Sequence, residues 1–110
     1  MPKVRTILLE AAATGPGNDI PINPRINYAS HAVEFAITGA PTAVTIKLEG
    51  NITGTAPFFD LATHVVTAEE LAAGAGMFHV QDKPVGYVRA NITVLTGGTA
   101  PTVTVYYRNS

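Results

Sequence analysis

The chain has 110 residues, 46% of them hydrophobic and only 14% charged, with a formal net charge of −1 and no cysteine. A chain of this length makes one domain and buries about 65% of its unfolded surface, and its composition excludes a disordered segment, a disulfide framework and a thiolate metal site. The 7 basic residues are scattered from Lys3 to Arg108, so the sequence carries no electrostatic footprint for nucleic acid or an anionic membrane.

Residues 3–12 read as an aliphatic strand of imperfect alternation. Its apolar run Ile7-Leu8-Leu9 is too short for a secretory signal core or a bilayer span. The protein is therefore expected to be made and kept in a cytoplasm unless it leaves inside a larger particle. A Gly/Pro/Asn loop follows at 14–19. Pro21 and Pro24 then mark residues 20–24 as an edge or extended segment, because proline cannot donate to a central ladder.

Clear alternation begins at residues 28–38, with His31, Val33, Phe35 and Ile37 on one face. Gly39-Ala40-Pro41 breaks the strand. Residues 43–49 resume it, with Val44, Ile46 and Leu48 facing inward. Residues 50–54 are a turn, and 58–66 form the next strand, with Phe59, Leu61, Thr63 and Val65 on one side. Residues 67–73 depart from this pattern: Thr67 is a helix N-cap, Glu70 stands at the reciprocal capping-box position, and Gly74 and Gly76 stop the helix after about two turns. Strands return at 77–81 and 85–95, where Val88, Ala90, Ile92 and Val94 share a face. A turn at 96–101 leads to a last strand at 102–108.

Short strands between Gly/Pro turns, with almost no helix, predict an all-β fold. The expected form is an antiparallel β-sandwich of about seven to eight strands, jelly-roll-like or immunoglobulin-like, with one short helical turn. Residues 1–110 form a single domain in this reading, with 1–24 as an extended arm or edge strand.

Catalytic chemistry finds little footing. Ser30 and His31 are adjacent on a strand, where neighbours point to opposite faces, and no G-x-S-x-G elbow is present. His31, His64 and His79 lie on three different predicted strands without metal-ligand spacing and read as structural or surface histidines; only folding decides whether they converge. Glu69-Glu70 suits a helix N-terminus, while the other acids are isolated, so no glycosidase pair is nominated. Neither Gly15-Pro16-Gly17 nor Gly97-Gly98 precedes a helix, so neither is a phosphate loop. Tyr106 and Tyr107 face opposite ways, one towards the core and one towards solvent or a partner. No enzyme activity, cofactor or metal is expected. Low charge on so small a domain points instead to surface covered by a partner or by copies of itself.

Three stretches carry a resemblance when taken in order. The first runs from Glu34-Phe35-Ala36-Ile37-Thr38-Gly39 to Ile46-Lys47-Leu48-Glu49-Gly50; the second is Phe58-Phe59-Asp60-Leu61-Ala62-Thr63. The third is Lys83-Pro84-Val85-Gly86-Tyr87-Val88-Arg89-Ala90, continuing through the Gly97-Gly98 turn to Val103-Thr104-Val105. Together they resemble the small β-sandwich virion structural proteins of tailed bacteriophages and prophages, over residues 33–107. Those proteins often carry a Gly-x-Trp-type segment after the Glu-Gly strand, and residues 51–57 here contain no tryptophan.

The resemblance implies a non-enzymatic virion component: a capsid decoration protein, a head fibre or a tail-associated module, made in the host bacterial cytoplasm. Its partners would be copies of itself, with a trimer expected, and a major capsid or tail protein. The alternative is a tail-associated carbohydrate- or receptor-binding module, for which Tyr28, Phe58 and Tyr106 are the candidate aromatics. The expected interface comprises Val4, Ile7 and Leu9 of the N-terminal arm, Ile20 and Ile22 of the proline-rich segment, and Tyr28 and Phe58.

Overall fold

Period-two alternation carries most of this chain into strands. The structure is a computed structural model and describes residues 6–22 and 30–109. In chain order the elements are β1 (Thr6–Ala11), β2 (Gly15–Pro16), β3 (Ile20–Pro21), β4 (His31–Thr38), β5 (Ala43–Asn51), β6 (Phe59–Val65), α1 (Ala68–Ala73), β7 (Ala75–Val80), β8 (Tyr87–Thr96) and β9 (Thr102–Asn109). The first sheet has the order β1-β9-β4-β7; the second has β2-β8-β5-β6, with β3 also pairing β8. Every pairing is antiparallel. With β2 and β3 sharing one position beside β8, this order is that of a jelly roll, which resolves the choice left open by the sequence.

The core lies between the central strands. His31, Val33, Phe35 and Ile37 of β4, with Val103, Val105 and Tyr107 of β9, face Val44, Ile46 and Leu48 of β5 and Val88, Ala90 and Ile92 of β8. Each such aliphatic or aromatic side chain contributes roughly 1.5–3 kcal/mol by leaving water. Residues 6–22 run along the edges of both sheets: β1 pairs with β9 and contributes Leu8 to the core, and Ile22 is buried just beyond β3.

Three bulges correct the faces expected from simple alternation. On β1 the register shifts between Ile7 and Leu9, so Leu8 enters the core and the imperfect alternation of that segment is explained. On β8 the extra residue is Thr93, opposite the step from Thr45 to Ile46. Val94, expected inside, is therefore exposed, and Leu95 packs against the core in its place. On β6 the extra residue is Leu61, opposite the step from Leu48 to Glu49. Thr63 and Val65 consequently point outward, while Ala62 and Leu61 pack on the core and His64 turns inward.

The helix forms as its capping signals require. Thr67 accepts from the Glu70 N–H and the Glu70 carboxylate accepts from the Thr67 N–H, and Gly74 caps the other end. Connecting β6 of one sheet to β7 of the other, α1 helps close one side of the sandwich. The loop after it also accepts an N–H from Ile37 on the Gly74 carbonyl. Gly76 has no room for a side chain, since a Cβ there would meet the Phe35 ring and the Glu70 carboxylate.

One buried polar pair stands within the core. His31 Nε2 lies 3.0 Å from the Lys83 carbonyl, which can only accept, so Nε2 carries the proton and Nδ1 accepts from the Tyr107 hydroxyl. Burial pushes the Tyr107 phenol above its ordinary value and keeps it a donor.

Two turns lean on each other at one end. Gly39 has φ +84°, its carbonyl accepts from the Thr99 N–H at 2.8 Å, and a Cβ on it would sit 2.6 Å from Pro101 Cα and from the Thr99 carbonyl. Gly39→Ala is expected to cost about 2 kcal/mol and lower Tm by roughly 10 °C. Tyr107→Phe leaves His31 Nδ1 buried without a donor and is expected to cost about 1–3 kcal/mol. Thermal and urea unfolding check both; a loss below about 0.5 kcal/mol for either contradicts the contact described.

Candidate functional site

The three histidines have separate tasks. Both ring nitrogens of His31 are engaged in the core, which leaves no free base there. His64 lies inside the edge of the sandwich, stacked on Phe78 with ring centroids 4.8 Å apart, and its Nε2 is 2.9 Å from Glu70 Oε1. His79 is exposed on the outer face of the first sheet. Among the described residues, no group of three or more His, Asp or Glu side chains is placed to hold a metal ion. No helix among them is long and apolar enough to cross a membrane.

Two acids that look isolated in sequence, Glu49 and Asp60, acquire partners from other strands. On the outer face of the second sheet, Glu49 is buried and accepts from Arg89 Nε at 2.7 Å and from Asn91 Nδ2 at 3.2 Å. The cross-strand register Glu49↔Arg89 makes that ion pair, and Arg89 also lies 4.3 Å from the centroid of the Phe58 ring. Lys47 pairs with Asp60 at 2.8 Å, which raises the lysine above its ordinary value. These pairings fix the surface; they do not leave reactive groups free.

Among the described residues, two concave surfaces stand out. At one end of the sandwich, Asn51 organises the loop 52–57: Nδ2 donates to the Thr55 and Pro57 carbonyls at 2.9 and 3.1 Å, and Oδ1 accepts from the Gly54 N–H at 3.0 Å. This loop and the Pro84-Val85 segment border a groove of about 640 Å³, mostly apolar, with Phe59 and Leu61 of β6 along it. Ile52 is 78% exposed and Phe59 62%. Beside the groove, β6 pairs only with β5 among the described strands, so its outer edge is free within the sheet. No sequence motif announced this surface, though Ile52 and Phe59 lie in segments read as a turn and a strand.

The second concavity, about 330 Å³, lies on the outer face of the first sheet. Its floor is β4, where Ala32 stands between Arg108 of β9 and His79 of β7, and Glu34 between Tyr106 and Met77. Tyr106 thus takes the outward direction expected for one of the two tyrosines, and Tyr107 the inward one.

The expected interface residues that are described differ in exposure. Ile7 is 51% exposed on the edge strand β1. Leu9 and Ile20 are half-buried against the core, and Ile22 is buried in it. Phe58 is half-buried under the Arg89 guanidinium. Val4 and Tyr28 lie outside the described residues.

No protein-family model matches the chain, and no curated protein matches it. Solved structures share its fold. The SPBc2 prophage-derived protein YomS superposes with a TM-score of 0.60 at 12% identity, over 96% of this chain and 91% of that one. PirA gives a TM-score of 0.54 at 15% identity, over 99% and 96% of the two chains. A glycoside hydrolase family 43 arabinoxylan arabinofuranohydrolase from Bacillus subtilis, in complex with cellotetraose, gives 0.51 at 16% identity, over 92% of this chain and 20% of that one.

The Glu70 site has a pH signature. The Thr67 N–H, followed by His64, holds the carboxyl below its ordinary value of 4.5, with burial opposing them in part. A carboxyl lowered on folding stabilises the protein above its unfolded value, and that stability is lost as pH falls through the lowered native value. Glu70→Gln is expected to lower Tm at pH 7 by a few degrees, about 1 kcal/mol. The difference from wild type shrinks towards zero in acid, where both side chains are neutral. Melting curves across pH check this, and a difference that is constant with pH contradicts it.

Proposed function

We propose that this chain is a non-enzymatic structural protein of a phage virion, specifically a capsid decoration protein that acts through contacts with copies of itself and with the capsid surface. The observation that carries this reading is the apolar end of the sandwich, where the 640 Å³ groove, Ile52 and Phe59 lie beside the free edge of β6. Large exposed apolar side chains next to unpaired backbone groups are what assembly covers. The near end-to-end fold likeness to a prophage-derived protein supports it, as does the resemblance of residues 33–107 to virion proteins. Charged residues at 14% of the chain suit a molecule whose surface is largely covered in a particle. A trimer bound to a major capsid protein is the arrangement proposed, with a tail protein as the other available partner.

Two measurements test this. Immunogold labelling of a phage-induced lysate is expected to place the protein over the heads; label at the tail moves the partner to the tail, and bare particles end the virion reading. In the purified protein, Ile52→Asp combined with Phe59→Asp is expected to weaken self-association or particle binding at least about tenfold while leaving Tm nearly unchanged. Undiminished assembly would show that another surface carries the contact.

A further inference from the structure

The outer face of the first sheet offers chemistry that the assembly role does not use. The geometry points to an oligosaccharide-binding slot there, running along β4 between walls supplied by β9 and β7. Strands in a sheet are about 4.8 Å apart, so walls standing on the two neighbours of β4 are about 10 Å apart at the backbone. One wall carries Tyr106 and Arg108, and the other carries Met77 and His79. The slot exists because the floor is low at Ala32, the middle member of the row Arg108–Ala32–His79, and Glu34 stands at its end between Tyr106 and Met77.

The side chains select the ligand. Among the described residues, the side chains of Glu34, Arg108 and His79 make no hydrogen bond or ion pair, and the depression brings this carboxylate, guanidinium and imidazole to one place. A carboxylate in the slot repels an anion, and a guanidinium repels a cation. A purely apolar ligand would cover these groups without satisfying them. A neutral polyhydroxylated ligand meets all three requirements: hydroxyls donate to Glu34, accept from Arg108, and do either with His79. Its C–H faces can lie against the Met77 side chain, which is 50% exposed. A sugar chain has this alternation of hydroxyl edges and apolar faces, and the slot's 330 Å³ suits a short stretch of one. This inference does not depend on where in a particle the protein sits.

The test uses the full chain and a panel of neutral gluco-, manno-, galacto- and N-acetylglucosamine oligosaccharides, with binding followed by amide chemical shifts. At least one is expected to bind saturably, with shifts concentrated at residues 32–36, 75–79 and 104–108. Ala32→Leu, which raises the outward-facing floor, and Arg108→Ala, at an exposed position, are each expected to weaken that binding about tenfold. Ile52→Asp with Phe59→Asp is expected to leave it unchanged, which separates this slot from the assembly surface. Failure of the whole panel to bind, shifts located at the groove between residues 52 and 85, or undiminished binding by both slot variants overturns the proposal. Saturation of the slot by an unglycosylated peptide, with no sugar competing, also overturns it.

Discussion

Phe35 and Ile46, with no measurable exposure, face inward from opposite sheets of the sandwich, and Ile92 and Val105 on the neighbouring strands are equally enclosed. Interiors packed this closely admit little adjustment, so the inner face of each central strand is committed as soon as these side chains are buried. Because side chains alternate along a strand, committing the inner face also commits the outer one. The outward positions of Ala32, Glu34 and Ala36 follow from the burial of Val33, Phe35 and Ile37. Those of Lys47 and Glu49 follow from Ile46 and Leu48 in the same way.

The bulges are where this commitment is renegotiated. Each adds one residue to an edge or near-edge segment and reverses the parity of the residues beyond it. On β6 the reversal turns His64 inward, where it stacks on Phe78 and reaches Glu70. It also leaves Val65 facing water and bends the strand beside the end groove. The same irregularity thus serves both the closure of the sandwich at α1 and the shape of its exposed apolar end. Gly76 belongs to this arrangement, since any side chain there would displace the Phe35 ring and the Glu70 carboxylate.

Charge is distributed unevenly over the two outer faces. On the second sheet, Glu49, Arg89, Asn91, Lys47 and Asp60 satisfy one another, and Phe58 stacks on the arginine. The polar groups of that face are engaged with one another. On the first sheet, the register separates Glu34 from Arg108 and His79 across the small Ala32, and among the described residues these polar groups remain available.

Much of the architecture was legible in residue order. The alternation of residues 31–38 and 43–49, the Thr67–Glu70 capping box and the opposed tyrosines at 106 and 107 each reached the structure unchanged, because each depends on backbone periodicity over a few residues. Bulges were not legible, since a strand gains an extra residue only relative to its partner, and the partner is chosen in three dimensions. Glu49 and Asp60 looked isolated for the same reason: Arg89 is 40 positions from Glu49, and Lys47 is 13 from Asp60. Sequence alone therefore determined the class of fold, the inward faces of β4 and β5 and the place of the helix. Tertiary structure decided the jelly-roll order of strands, the pairing of charges, and the two concave surfaces, because these arise from strand register and loop packing between segments remote in the chain.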